Sequence, residues 1–196
     1  MHLAFDILEG AGLAAAIGLR PFLPAVLAGA LATGDIGIDF SGSDFAFLES
    51  WVFIVIMAVA AAATIVVERR LGGERLESGP LGAAFGGVAM GLGALFFAGT
   101  LAGDHHVFWP GLIAGLVCAA IGTAAARGLF GRVRGRLDRE AQQALPVYAE
   151  GSAVGGAGLT ILFPPLAVIL LAFQGWLIAA GRRRAGEKYA GLRILR

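Results

Sequence analysis

Residues 151–184 have the sequence GSAVGGAGLTILFPPLAVILLAFQGWLIAAGRRR. The part from 151 to 181 has no charged side chain. A straight helix of that length would measure about 46 Å, whereas the hydrocarbon core of a bilayer is about 30 Å thick. Pro164 and Pro165 lie near its middle, where proline removes a backbone donor and clashes with the preceding turn. This stretch therefore predicts a membrane segment that is too long for one crossing and is interrupted halfway.

The composition of the whole chain agrees with a membrane protein. Of its 196 residues, 58% are apolar and 15% are charged, and the mean hydropathy is +0.80, whereas soluble domains carry about a quarter charged residues. These values exclude soluble enzymes, nucleic-acid-binding domains and disordered tails. Backbone groups in lipid must be satisfied within the chain, so we expect an all-α integral membrane bundle, one transmembrane domain over residues 1–196. Five apolar segments are long enough to cross a bilayer: 3–34, 48–67, 80–103, 107–126 and 151–181.

The positions of the charges orient these segments. The loop after the first segment has four acids and no basic residue, whereas basic residues follow the second and fourth segments and fill the tail from 182 to 196. Because cytoplasmic loops carry an excess of Lys and Arg, we expect the basic stretches in the cytoplasm of a bacterial cell and the acidic loop outside. A single crossing by residues 151–181 would place the basic tail outside. The charges therefore favour a double pass with a cytoplasmic C-terminus.

The first segment, residues 3–34, has the same anatomy, because Arg20-Pro21 and Pro24 interrupt it just past its centre. Two structures are possible for each interrupted segment. It is a hairpin, which is either re-entrant or made of two thin spans, or it is one long, tilted and kinked helix. Interrupted segments at corresponding positions are typical of transporters with inverted repeats, in which unwound backbone holds a solute near mid-membrane depth. The prolines at these breaks are therefore candidate site residues: Pro21, Pro24, Pro164 and Pro165.

Arg20 is the strongest single candidate for a functional residue. A guanidinium inside an apolar segment costs several kcal/mol unless it pairs, reaches the headgroups or faces water. Glu9 lies on nearly the same helical face, but three turns away, which is too far for a direct ion pair. We therefore expect Arg20 to meet backbone carbonyls at the break or an acid from another segment, with Glu49, Glu68 and Glu150 as candidates. Such a pair would form an anion, lipid-headgroup or gating site, or would only hold the broken helix together.

The acidic candidates also have two interpretations. Glu68 and Glu150 lie at cytoplasmic ends of apolar runs, where each is either a helix-capping residue or a site of proton or cation coupling. Glu9 is either a solvated boundary residue or a member of a proton relay. The cluster Asp104-His105-His106 lacks the ligand number and spacing of a metal site. We therefore expect neither a bound metal nor a cofactor.

The stretch 127–148 differs from the apolar segments. It has apolar side chains at helical spacing and arginines on the remaining surface, which predicts a cytoplasmic amphipathic helix at the membrane interface. Such a helix attracts anionic lipid by about 1 kcal/mol per basic residue. The arginines expected to contact lipid are Arg132, Arg134, Arg136 and Arg139. The 31 glycines of the chain also permit close helix contacts, within one protomer or in a homo-oligomer.

Several short blocks follow one another in a particular order. They are GLRPFLP at 18–24, FSGS at 40–43, FLESW at 47–51, Glu68 at the end of the second segment, and residues 146–150 before the last. This order resembles a family of bacterial polytopic membrane proteins of about this length that is defined only as a domain of unknown function. The resemblance covers most of the chain and implies a membrane fold, with similar residues at the positions of Arg20, Pro21, Glu68 and Glu150. After Glu68 this chain has an Arg-Arg-Leu-Gly run where the family has an acidic, lysine-bearing stretch, and the family implies no activity.

Together these features favour a small transporter or channel for an ion or small solute, with its site at the broken helices. The alternative is a non-transporting membrane scaffold or an accessory subunit of a larger complex, which would use its glycine-rich faces and basic surface to bind partners. The sequence has no phosphate-binding loop, nucleophile elbow or credible Ser/His/Asp arrangement, so we do not expect an enzyme.

Overall fold

The structure is a computed structural model, which describes residues 2–72, 79–103, 107–134, 137 and 139–190. All regular secondary structure in those ranges is helical, as predicted, and seven α-helices are present there. They are α1 (His2–Leu19), α2 (Phe22–Thr33), α3 (Trp51–Leu71), α4 (Gly79–Ala102), α5 (Trp109–Arg134), α6 (Arg139–Leu162) and α7 (Leu166–Ala190). A short 3-10 turn, Ala46–Glu49, precedes α3.

The first long segment folds as a hairpin of α1 and α2. Gly10 of α1 packs against side chains near the end of α4, whereas Phe22 at the start of α2 packs on Phe85 near the start of α4, with ring centroids 5.9 Å apart. Thr33 at the end of α2 donates a hydrogen bond to the carbonyl of Glu49, just before α3 begins. α1 and α2 therefore run in opposite directions. Of the two interpretations left open by the sequence, the hairpin is correct.

The last long segment is also a hairpin. The side-chain amide of Gln142, in the first turn of α6, donates to the carbonyl of Arg134 at the end of α5. α7 returns to the same place, because Arg132 donates to the carbonyl of Leu177 in α7. Between the two helices the chain turns at Pro164-Pro165. The predicted reversal of the chain at the two prolines is therefore present.

The hairpins sort the charges to two ends of the bundle. The end where α1, α3, α5 and α7 terminate is called the basic end. Its described basic residues include Arg69, Arg70, Arg127, Arg132, Arg134, Arg182 and Arg183. We call the acidic end the opposite one, where the loop between α2 and α3 carries Asp35, Asp39, Asp44 and Glu49. This loop packs on the bundle through the fully buried side chains of Phe40 and Leu48.

α1 is the central helix, and glycine lets it approach its neighbours closely. Gly18 of α1 lies against the backbone of Ala119 in α5, and Gly122 of α5 lies against the carbonyl oxygen of Ala15 in α1. A Cβ atom at either glycine would overlap these backbone atoms. The contact between α1 and α5 is therefore one of backbone against backbone, which small residues permit in membrane bundles.

The outer surface of the bundle is apolar. Four helices, α3, α4, α5 and α7, are long and apolar enough to cross a membrane. Large apolar side chains stand exposed along three of them: Trp51, Val55 and Val59, then Trp109, Ile113 and Val117, then Ile169, Phe173 and Trp176. An exposed apolar surface of this extent suits lipid rather than water. The protein is therefore embedded in a membrane.

The predicted amphipathic helix over 127–148 is not a separate element. α5 continues to Arg134 and α6 begins at Arg139, so the range is divided between the ends of two longer helices. No proline lies between 127 and 134 to end α5. The guanidinium of Arg132 donates a hydrogen bond to a carbonyl of α7. Arg136 and the side chain of Arg139 lie outside the described residues.

Pro24 does not interrupt the first segment, contrary to the prediction. It is the third residue of α2 and is buried. The first N–H groups of a helix have no carbonyl partner within the helix, so a proline there removes no hydrogen bond. The break is made by Arg20-Pro21 alone.

Candidate functional site

Arg20 lies at the turn between α1 and α2. Its backbone N–H donates to the carbonyl of Ala16 at 3.3 Å, and Pro21 then precedes the first residue of α2. The side chain is only 11% exposed. The turn therefore holds a permanently charged guanidinium inside the protein, among the ends of several helices.

Glu68, near the end of α3, holds this guanidinium by two contacts. Nη2 of Arg20 donates to Oε1 at 2.9 Å, and Nη1 donates to Oε2 at 3.4 Å. The Glu68 side chain is 3% exposed. A bidentate contact matches the planar fork of the guanidinium and is the strong form of this ion pair. The predicted partner from another segment is therefore present.

Glu150, halfway along α6, is a second carboxylate at the same guanidinium. Its Oε1 is 3.9 Å from Nε of Arg20, and its side chain is 17% exposed. Its Oε2 is buried and has no hydrogen-bond partner in the described part of the chain. One positive charge thus faces two carboxylates, which we call the charge cluster: Arg20, Glu68 and Glu150. The cluster has one carboxylate more than its guanidinium neutralises, and that group has the capacity to take a proton or a cation.

A small pocket adjoins the charge cluster on the side of α4 and α5. It has a volume of about 60 Å³ and is lined by Arg20, Pro21 and Arg127 together with glycines and apolar residues. Arg127 donates to the carbonyl of Gly82 at the start of α4. A single buried water needs about 10–15 Å³ measured in this way, so the pocket has room for a few water molecules. It gives small polar species a place beside Arg20.

The other predicted partner of Arg20 has a different role. Glu49 lies at the acidic end, where its carboxylate accepts a hydrogen bond from the backbone N–H of Phe40 at 3.2 Å. It therefore ties down the loop between α2 and α3 and takes no part in the charge cluster.

The two proline breaks lie at different levels of the bundle. Arg20-Pro21 is at the basic end, whereas Pro164-Pro165 follows Ile161, which packs on Gly37 of the loop at the acidic end. The two breaks therefore do not form one common site midway along the bundle. The charge cluster lies at Arg20-Pro21, whereas Glu9 lies one turn of α1 before Gly12, which packs on residues either side of Pro164-Pro165.

Glu9 is buried in α1, with an exposed fraction of 7%. Its Oε1 has no hydrogen-bond partner among the described residues. The interpretation of Glu9 as a solvated boundary residue is therefore wrong. Gly12, three residues further along the same face of α1, packs on Thr160 of α6 and Ala167 of α7, on either side of the proline turn.

Gln174 of α7 was not singled out by the sequence analysis, although it is 1% exposed. Its Nε2 donates to the carbonyl of Ala15 at 3.2 Å, and its Oε1 has no partner in the described ranges. A signal for it exists, because Gln174 is the only polar side chain between 166 and 180. An isolated amide in an apolar membrane helix is expensive unless it faces the protein interior.

Within the described residues, no group of three or more His, Cys, Asp or Glu side chains is arranged to hold a metal ion. The cluster Asp104-His105-His106 lies outside those residues.

Comparison with known proteins leaves the chain without an assigned relative: no protein-family model, no curated protein and no solved structure matches it. The resemblance stated from the sequence blocks therefore stays a prediction.

Proposed function

We propose that this protein is a small membrane transporter or channel for a cation, and that the charge cluster is its ion-exchange site. The observation that carries the proposal is the second carboxylate: Arg20 is already paired with Glu68 through two contacts, yet Glu150 adjoins it with an unpartnered oxygen. A structural ion pair needs only one acid for each guanidinium. Ionisable groups inside a membrane protein are costly and commonly mark ion pathways.

The cluster provides two alternative arrangements of charge. With Glu150 ionised, Arg20 is shared between two carboxylates, and the site is one negative charge in excess. With a proton or cation on Glu150, the Arg20–Glu68 pair is left neutral as a whole. The difference between the two states is one bound positive charge, which is the property that a coupling site needs.

The test is ion flux through purified protein in liposomes, with H⁺, Na⁺ and K⁺ as the probes. We expect the wild-type protein to admit at least one of the three, and Glu150→Gln to lower that flux about tenfold or more. The matched control is Asp44→Asn, which removes a carboxylate from an exposed loop position and leaves the flux unchanged. Absence of any flux in the wild type, or an equal flux in Glu150→Gln, would refute the proposal.

We further propose a bacterial cell membrane as the location, with the basic end in the cytoplasm. The support is the excess of arginine at one end of the bundle and of acids at the other, because positively charged ends are retained in the cytoplasm. Anionic lipid headgroups would then gather at the basic end, near Arg134 and the chain that follows it.

A second candidate function is that of a scaffold or accessory subunit, and one surface favours it. Gly87 and Gly91 lie one turn apart on the exposed face of α4, with open space where their side chains would be. Such a face permits close approach of another helix, from a second copy or from a partner. Cross-linking of a Gly91→Cys variant in membranes, on a Cys118→Ser background, tests this: a specific dimer or adduct supports the scaffold, and only monomer speaks against it.

A further inference from the structure

Arg127 of α5 carries a positive charge that no carboxylate of the described residues neutralises. Its guanidinium donates to the carbonyl of Gly82, in the first turn of α4. That carbonyl satisfies a donor but brings no negative charge. Arg127 therefore differs from Arg20, whose charge faces the carboxylates of Glu68 and Glu150.

Arg127 and Arg20 line the same pocket, which has a volume of about 60 Å³. They reach it from neighbouring levels of two helices that end together. The hydroxyl of Thr123, about 6 Å before Arg127 along α5, donates to the carbonyl of Gly18 on α1 at 2.9 Å. Gly18 is two residues before Arg20, so two guanidinium groups border one cavity.

The pocket offers more side-chain donors than acceptors. Of the described residues that line it, only the two arginines are charged, and the one other polar side chain is a threonine whose hydroxyl donates to a main-chain carbonyl. Arg127 gives one described hydrogen bond to Gly82, and Arg20 gives two to Glu68. A guanidinium has more N–H groups than these contacts use. Such a lining suits an anion with several acceptor oxygens.

The pocket lies at the depth of the phospholipid headgroups. α5 has no charged residue from Trp109 to Ala126, and the helical rise from Trp109 to Arg127 is about 27 Å, close to the thickness of a hydrocarbon core. Trp109 is exposed at the acidic end, and tryptophan is typical of a membrane interface. Arg127 is therefore at the opposite interface, where lipid phosphates lie. Phe85, Ala89 and Phe130 give the pocket an apolar wall.

We propose that this pocket binds a phosphate group, with Arg127 as its principal contact. The arginine fork matches two phosphate oxygens at once, and room for a few water molecules is room for one phosphate group. The depth and the apolar wall favour the phosphate of an anionic phospholipid as the source over phosphate from solution. The proposal does not rest on the proposed function, because Glu68 and Glu150 do not line the pocket.

Gly86 of α4 makes room for the Arg127 guanidinium. A Cβ atom at Gly86 would come within 2.7 Å of Nη2 of Arg127, and the next nearest atoms are also in side chains, at 3.6 and 3.7 Å. Because Nη2 is at the end of a flexible side chain, Gly86→Ala moves the guanidinium while keeping its charge. The neighbouring Gly87 meets open space, so Gly87→Ala is its matched control.

Lipid binding to the purified protein in detergent, measured by native mass spectrometry with phosphatidylglycerol as the probe, tests the site. We expect Arg127→Gln to weaken binding of one phosphatidylglycerol about tenfold or more, and Gly86→Ala to weaken it several-fold. Gly87→Ala should bind like the wild type. So should Arg70→Gln, which removes the same charge from an exposed position at the basic end, outside the pocket. Circular dichroism and gel filtration check that each variant is folded.

Inorganic phosphate, added as a second probe, distinguishes the two sources. Binding of phosphatidylglycerol that depends on Arg127 and resists displacement by phosphate supports a lipid site. Thermal stabilisation by inorganic phosphate that is lost in Arg127→Gln, without lipid binding, supports a site for phosphate from solution. Equal binding of both probes by the wild type, Arg127→Gln and Gly86→Ala would overturn the proposal. If Arg127→Gln does not fold, the comparison of Gly86→Ala with Gly87→Ala decides.

Discussion

Arg20 determines the structure around it because a guanidinium cannot be left unpaired in the interior. The sequence was sufficient to predict that it needs a partner from another segment, since Glu9 is three turns away. It could not select among three acids, because the choice depends on how α3 and α6 pack at the turn. The burial of Glu9 and Gln174 could not be predicted either. It depends on how α1 packs against α6 and α7, and not on the residues next to Glu9 or Gln174 in the sequence.

Removal of the Arg20 side chain is expected to destabilise the protein strongly. In Arg20→Ala, Glu68 and Glu150 would keep their burial and lose their counter-charge, and breaking a buried pair in this way costs about 3–5 kcal/mol. Thermal unfolding in mild detergent measures the loss. The control is Arg69→Ala, an exposed arginine next to Glu68, for which we expect a change within about 0.5 kcal/mol. Equal stability of Arg20→Ala and the wild type would contradict the pairing.

At the scale of the helix, close packing and chain reversal explain most of the arrangement. The excess length, the prolines and the arginine pattern of the last segment were sufficient to predict that it folds as a hairpin. The end of α5 was predicted wrongly, because the change in residue pattern at 127 marks where the helix leaves the apolar region, not where it stops. The interruption at Pro24 was also wrong, since proline in a first helical turn costs no hydrogen bond.

The contact of α1 with α5 is expected to tolerate no added atom. In Gly122→Ala the new Cβ would overlap the Ala15 carbonyl and approach the Gly18 Cα to 3.0 Å, so the two backbones would have to separate. Overpacking of this kind costs about 1–3 kcal/mol. Gly91→Ala on α4, which meets open space, is the control and gains up to about 1 kcal/mol from helix propensity. Thermal unfolding of the two variants side by side checks this; the same melting temperature for both would contradict the packing.

At the scale of the whole molecule, two hairpins give the bundle its polarity. The ends of α1, α3, α5 and α7 gather at the basic end, and the charge cluster lies there with them. The acidic loop covers the other end. The sequence predicted a site at the broken helices. It did not predict that the two breaks lie at opposite ends of the bundle, because that depends on how the helices of each hairpin pack against the other helices.

Cysteine accessibility tests this arrangement most directly. On a Cys118→Ser background, Arg183→Cys reports the end of α7, Gly72→Cys the end of α3, and Asp44→Cys and Val107→Cys the acidic end; all four positions are exposed. In intact cells, treated with a thiol reagent that does not cross membranes, we expect labelling at 44 and 107 and protection at 72 and 183 until the membrane is opened. Labelling of 183 from the same side as 44 would contradict the double pass of the last segment, and with it the gathering of Arg20, Glu68 and Glu150 at the end of the bundle where α7 terminates.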